Sequence, residues 1–250
     1  MNPEKLLRLE RMGLGPVWQL RSHADESVGM AVTAAAAHVT TEFATEFATE
    51  FATDLTADIA TLDWDELEAT IRECARCGLC RGRTNAVPGI GDRNASWLFV
   101  GEGPGRNEDL EGEPFVGPAG KLLDNMLKAL KLARGVDTYI ANIVKCRPVD
   151  GDGRDRPPVQ DEVAACRPFL ERQIDLIKPT VIVALGKTAA ISLLGLNEEN
   201  SLASLRGKPH SYRGIPVVVT YHPAYLLRKP QDKAKSWRDL CLAQSLHDER

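Results

Sequence analysis

Trp97–Gly120 reads WLFVGEGPGRNEDLEGEPFVGPAG. Four apolar residues, Trp97 to Val100, break directly into glycine at 101, 103, 105, 112, 117 and 120, with proline at 104, 114 and 118. A short apolar run closed by glycine is the pattern of a buried strand running into a loop. Ordering a loop so rich in glycine costs conformational entropy. Such a loop is expected where side chains would obstruct the close approach of backbone to a ligand.

Three further apolar runs follow, Tyr139–Val144, Thr180–Leu185 and Pro216–Thr220. Helical patterns lie between them: Leu122, Leu123, Met126, Leu127 and Leu130 share one helical face, and Val163, Phe169, Leu170, Ile174 and Ile177 share another. Strands alternating with helices predict an α/β fold, a three-layer α/β/α sandwich around a central four-stranded, mainly parallel sheet. Ligands in such folds bind beyond the carboxyl ends of the strands. That rule selects GEGPG at Gly101–Gly105, Lys145-Cys146-Arg147, GKTAA at Gly186–Ala190 and HPAYLLR at His222–Arg228.

A chain of 250 residues has room for one sizeable domain and an appendage. Residues 1–60 read as an acidic, low-complexity extension, disordered or partly helical, that contains a literal EFAT repeat with Phe43, Phe47 and Phe51. A protein-docking peptide around Leu6–Trp18 is a secondary expectation. Residues 61–250 read as the main folded domain, opened by a helix that Asp63 or Asp65 caps. Residues 1–70 carry 4 Lys and Arg against 13 Asp and Glu, net −9, which leaves 27 against 22, net +5, on residues 71–250. The acidic extension therefore masks a mildly basic body that is compatible with a polyanionic partner. No run approaches the roughly 20 apolar residues of a membrane span, and a cytoplasmic monomer is expected.

Cysteines stand at 74, 77, 80, 146, 166 and 241. The clustering in CARCGLC favours a metal or cluster site over a disulfide framework, while Cys80 and Cys241 read as small buried residues. Nucleotide motifs fail on inspection. GEGPGR misplaces the third glycine of the dinucleotide fingerprint, GKT at 186–188 has Val181 where a phosphate loop needs glycine, and Gly120-Lys121 is followed by Leu122. GKTAA is read instead as a helix start against the sheet.

GEGPG after a strand, then PFVGPAG, IANIVKC and a late YHPAYLLR, in that order, resemble the family 4, iron–sulfur uracil-DNA glycosylases across residues 70–245. The resemblance implies an enzyme that hydrolyses the N-glycosidic bond of flipped-out deoxyuridine in DNA, releasing uracil and leaving an abasic site. It places the base against Gly101, Glu102 and Gly103, with Phe115 as a stacking plate. Asn142 is the implied reader: its amide donates to uracil O4 and accepts from N3–H, a pattern cytosine cannot match. His222 is the implied donor to uracil O2, and Glu102 positions the attacking water, with Glu108 shaping the pocket. Leu226 or a neighbour fills the gap left by the base while Arg228 meets phosphate.

The same resemblance assigns Cys74, Cys77, Cys146 and Cys166 to a 4Fe–4S cluster; spacing alone serves a zinc ion equally well. The stretch VDGDGRDRPPVQDEVAAC that leads to Cys166 is longer than that family leads one to expect, acidic in part and without the expected Asn, which counts against substrate contacts from this loop. Its want of a His counts against the covalent trapping of uracil-DNA that a related branch performs there. No lysine is placed for Schiff-base chemistry. Two alternatives remain: a non-catalytic iron–sulfur protein that binds uracil or DNA, and a polymerase-associated accessory module.

Overall fold

The computed structural model describes residues 59–250. The EFAT repeat, the Leu6–Trp18 docking segment and nearly all of the 1–60 extension lie outside the described residues. The first helix, α1 (Trp64–Glu73), is capped by Asp63, whose carboxylate accepts from the amides of Asp65 and Glu66 at 3.0 and 2.9 Å. Glu66 returns the bond to the Asp63 amide at 3.0 Å, a reciprocal capping box. The elements after it are β1 (Ile90–Gly91), β2 (Trp97–Gly101), α2 (Arg106–Glu111), α3 (Pro118–Ala129), β3 (Thr138–Asn142), α4 (Gln160–Ile177) and β4 (Val181–Leu185). Then come α5 (Lys187–Leu194), α6 (Leu202–Leu205), β5 (Pro209–Tyr212), β6 (Ile215–Thr220), α7 (Pro223–Arg228) and α8 (Lys233–Asp248).

The four expected strands form the parallel centre of the sheet, whose order is β1-β3-β2-β4-β6-β5. The sheet has six strands rather than four, because β1 and β5 add antiparallel edges. Both edges are weak signals in sequence. β1 is two residues long between glycines, and β5 opens on a proline and alternates in exposure. β5 and β6 form a hairpin through Arg213 and Gly214, both with positive φ (48° and 82°), the turn whose twist suits adjacent strands.

Strand periodicity divides the core into two layers. Leu98, Val100, Tyr139, Ala141, Ile182, Ala184, Val217 and Val219 pack with buried residues of α1, α4, α5 and α6. Trp97, Phe99, Ile140, Val181, Val183, Leu185 and Val218 face the opposite way, onto Leu123, Leu127 and Leu130 of the α3 segment and Leu240 and Ala243 of α8. The three-layer α/β/α sandwich follows.

One buried ionic network secures the end of β6. The Asp239 carboxylate on α8 accepts from Arg206 at 2.6 Å and from the Thr220 hydroxyl at 2.8 Å, with the Arg206 and Asp239 side chains 10% and 2% exposed. Arg206 also lies 4.0 Å over the Tyr221 ring, next to His222. Arg206→Met should leave Asp239 charged and unpaired and cost about 3–5 kcal/mol, read as a lowered denaturant midpoint with an unchanged slope. A midpoint equal to that of the parent protein would show that the pair does not hold this corner.

Candidate active site

The carboxyl ends of the four parallel strands converge. β2 and β3 pair in a register that puts Gly101 directly beside Asn142. A Cβ on Gly101 would collide with Asn142 Oδ1 and come within 2.7 Å of the Phe115 ring, so neither side chain could keep its place beside a larger residue. Gly101 is thus required by packing within the protein. It does not border the cleft described below, whereas Gly103 does.

The two glycine-rich loops are tied together from within. Glu108 of α2 accepts from the Gly105 amide at 3.1 Å through one carboxylate oxygen, and from Val116 and Gly117 at 3.1 and 3.3 Å through the other. Its first duty is to join GEGPG to PFVG. Phe115 takes the left-handed conformation (φ 57°), which is costly for an aromatic residue. Arg134 offsets that cost: it donates to the carbonyls of Pro114 and Phe115 at 2.9 Å each and is itself held by Asp124. Phe115 is 6% exposed and its ring lies 5.5 Å from that of His222, at 29°.

His222 caps α7. Its Nδ1 accepts from the Ala224 amide at 3.2 Å, so the neutral ring carries its proton on Nε2. Burial, with help from nearby Arg228, pushes its pKa down to about 4. Gly186 lets the ring settle: it has φ 97°, and a Cβ there would press on the His222 Cβ at 3.2 Å. The GKT segment does open a helix, α5, and supplies more than packing. Burial raises the Glu102 carboxyl above the ordinary carboxylate value, and a hydrogen bond with Thr188 offsets part of the rise.

Glu102, Gly103, Phe115, Asn142, His222 and Arg228 border one cleft of about 500 Å³. Asn142 is 1% exposed, and its Oδ1 is buried without a hydrogen-bond partner. An unpartnered buried acceptor is costly unless something supplies a donor. Leu226 is not at this surface. It is 1% exposed, because Pro223 and Leu226 form the inward face of α7. The neighbouring Leu227 is the outward residue, at 44%.

The long Cys146–Cys166 segment also departs from expectation. Its residues Pro148, Asp155, Arg156 and Pro157 border the cleft. It is built by its own charges: Arg147 pairs with Asp155 at 2.6 Å, and Arg156 forks onto both oxygens of Glu162 at 2.8 and 2.6 Å, which holds the Glu162 pKa down. Motif reading gave no sign of Arg134 or of the individual duties of Gly186 and Thr188, because their partners stand apart from them in the sequence.

A second cavity is bordered by Cys74, Cys77, Cys80, Cys146 and Cys166, with Ile71, Leu79 and Phe169 as apolar walls. The four expected ligands are therefore brought together, and Cys80 joins them half-buried. Cys241 is exposed rather than buried, on the side of α8 opposite Leu240 and Ala243. Arg83 donates to Cys146 Sγ at 3.1 Å and to the Cys74 carbonyl at 2.8 Å, and the Lys145 amide donates to Cys166 Sγ at 3.2 Å. Burial pushes the Cys166 thiol up to about 12 and raises Cys77 and Cys146. Among the described residues no three Cys, His, Asp or Glu are grouped to hold a single metal ion. Fully buried Lys145 links this cavity to the cleft: its ammonium donates to the Asn142 carbonyl at 2.9 Å and to Gln173 at 2.7 Å.

A family model described as the uracil DNA glycosylase superfamily matches residues 88–243. Similar curated proteins are the type-4 uracil-DNA glycosylases of three organisms. That of Archaeoglobus fulgidus is 43% identical over 173 residues, covering 67% of this chain and 84% of that protein. That of Pyrobaculum aerophilum is 41% identical over 187 residues, covering 72% and 93%. That of Thermotoga maritima is 43% identical over 166 residues, covering 66% and 83%. With the matched region spanning the cleft and most of the sheet, the chain belongs to the type-4 uracil-DNA glycosylases of the uracil DNA glycosylase superfamily.

Proposed function

We propose that the cleft takes a deoxyuridine everted from DNA and hydrolyses its N-glycosidic bond, leaving free uracil and an abasic site. The observation that carries this reading is the orphaned Oδ1 of Asn142, buried in the same cleft as the His222 ring. Uracil N3–H donates to that oxygen and uracil O4 accepts from the amide NH₂. Cytosine offers an amino donor beside a bare nitrogen, which leaves groups unpaired at about 1–3 kcal/mol each. Phe115 provides the stacking plate.

Bond breaking moves the C1′–N1 electron pair onto the departing uracil. His222, neutral with its proton on Nε2, donates to O2 as that charge develops and stays uncharged itself. Water forms the new bond to C1′ and passes its proton to the Glu102 carboxylate, whose raised pKa suits it to accept. Gly103 brings bare backbone to the nucleotide, Arg228 meets phosphate, and Leu227, in place of Leu226, enters the vacated stack.

Cys74, Cys77, Cys146 and Cys166, which border one cavity, are the residues we assign to a 4Fe–4S cluster, and the want of any three-residue grouping for a single metal ion among the described residues supports a cluster over a lone zinc ion. When bound, that group supplies a structural cross-link with no redox part in hydrolysis. It would join the segment after α1, the exit of β3 and α4. Among the described residues no helix is long and apolar enough to cross a membrane. A cytoplasmic monomer, with its cleft built from one chain and an N-terminal extension that docks a protein, completes the reading.

An oligonucleotide carrying one uracil should be cut at that position after alkali treatment, and a chain that binds it without cutting is a binding protein instead. Asn142→Asp should reduce the preference for uracil over cytosine by about tenfold or more; unchanged selectivity removes Asn142 as reader. His222→Ala should slow single-turnover release about 10²–10³-fold. In the parent enzyme the pH–rate profile should show no inflection at the ordinary histidine value of about 6.5, since the ring is already neutral there and protonates only near 4. Activity should instead fall on acidification as Glu102 protonates. An inflection near the histidine value that vanishes in His222→Ala would sink the tautomer argument. Leu227→Ala should impair duplex substrate more than single-stranded substrate, and equal losses on both would remove the wedge.

A further inference from the structure

The cysteine cavity contains a second unsatisfied group, and it is a cation. Arg76 lies between Cys74 and Cys77, and its main-chain amide donates to Cys74 Sγ at 3.5 Å. The guanidinium folds inward, with Cζ 5.8 Å above the Phe169 ring on α4, and the residue borders the cavity beside Cys146 and Cys166. Its NH1 is buried and has no hydrogen-bond partner. Among the described residues only this nitrogen and Asn142 Oδ1 share that condition. Asn142 faces the substrate cleft, so the parallel is direct: each orphan marks a place where something not made of protein is received.

The chemistry of the missing acceptor is narrow. A guanidinium has five donors and no acceptor, so NH1 requires an oxygen, sulfide or thiolate. A neutral thiol is a weak acceptor, and none of the five cysteine sulfurs around the cavity is a hydrogen-bond partner of this nitrogen. Arg83 already serves Cys146 from another direction, so the two cations do not duplicate each other. The cavity walls are mostly aliphatic, aromatic or thiol, with Ile71, Leu79, Ala165 and Phe169 among them, and the Lys145 that shares them has its ammonium engaged by Asn142 and Gln173. An anionic occupant carrying sulfur is the match.

We propose that Arg76 donates a charge-assisted hydrogen bond to the sulfur of the iron–sulfur cluster, a bridging sulfide or a ligating thiolate, and thereby sets the cluster's potential and its resistance to oxidation. This rests on the cluster reading given above. Arg76 is a tuning residue, remote from the glycosidic bond, and removing it should leave uracil release essentially intact. A donor to cluster sulfur stabilises the more reduced, more negative state. Without it every couple moves to lower potential and the cluster becomes easier to oxidise and strip.

The test uses the full chain purified with its native occupant and compares parent, Arg76→Met, Arg76→Lys and, as a charge control outside the cavity, Arg72→Met. Iron and acid-labile sulfide are counted first. Then the potential is measured by spectroelectrochemistry, and the visible absorption is followed during exposure to peroxide and chelator. Arg76→Met should keep the parent iron content, show a lower potential and bleach about tenfold faster, the loss of one hydrogen bond to a charged group. Arg76→Lys, which keeps the charge but loses the planar fork, should fall between, and Arg72→Met should match the parent. If Arg76→Met fails to fold, the Arg76→Lys shift decides alone. Parent-like potential and bleaching in the Arg76 variants, with iron and sulfide present, overturn the role of Arg76 and leave the cluster reading standing. A parent protein containing zinc, or no iron, overturns the cluster reading itself.

Discussion

The molecule depends on one pair of residues facing each other across two strands. Gly101 and Asn142 are the last residues of β2 and β3 and stand in register, so the amide of Asn142 and the ring of Phe115 occupy the volume a side chain at 101 would fill. From this pairing follow the direction of the Asn142 oxygen, the seat of the aromatic plate and the need for glycine at the strand end. The parallel sheet then brings His222 from β6 and Thr188 from the start of α5 to the same rim. A strained Phe115 and an unsatisfied Asn142 are both destabilising by themselves. The buried sheet and the clamps of Arg134 and Glu108 hold them in place, an instance of local strain kept at a functional site by its surroundings.

Two cavities, one bordered by Asn142 and His222 and one by cysteines, lie on either side of the exit of β3. Residues 142 to 146 run from the Asn142 amide to a thiol, and Lys145 between them is buried and bonded at both its amide and its ammonium. The cysteine side of the molecule is therefore an anchor for the segment that carries Asn142. The proposed cluster would reinforce this anchor. The buried cation at 145 is provided for locally: burial lowers its pKa to about 8, and its neighbours Asn142 and Gln173 supply the acceptors that an ammonium requires.

The extended loop between Cys146 and α4 shows how charge builds a surface without a hydrophobic core. Arg147–Asp155 and Arg156–Glu162 fold it back on itself and set Pro148 and Pro157 at the lip of the cleft. These pairs engage Asp155 and Glu162, Arg154 pairs with Asp152, and Arg228 borders the same cleft from α7.

The sequence by itself determined the four parallel strands, the helices between them and a helix cap at Asp63 or Asp65, because continuous apolar runs, helical periodicity and capping residues are local signals, while the grouping of His222, Asn142, Phe115 and the four cysteines came from the order of motifs shared with the family. It could not reveal the two edge strands, too short and too polar to register. It misread Leu226, since which of two adjacent leucines on a six-residue helix faces inward is set by the packing of α7 on α3. Cys241 went astray for the same reason, on α8. The sequence also showed no sign that Arg134 would clamp Phe115, that Thr188 would support Glu102, or that Arg76 would turn inward beside the thiols. Those are contacts between segments far apart in the chain, and only the closing of the sheet and its layers brings the partners within hydrogen-bond reach.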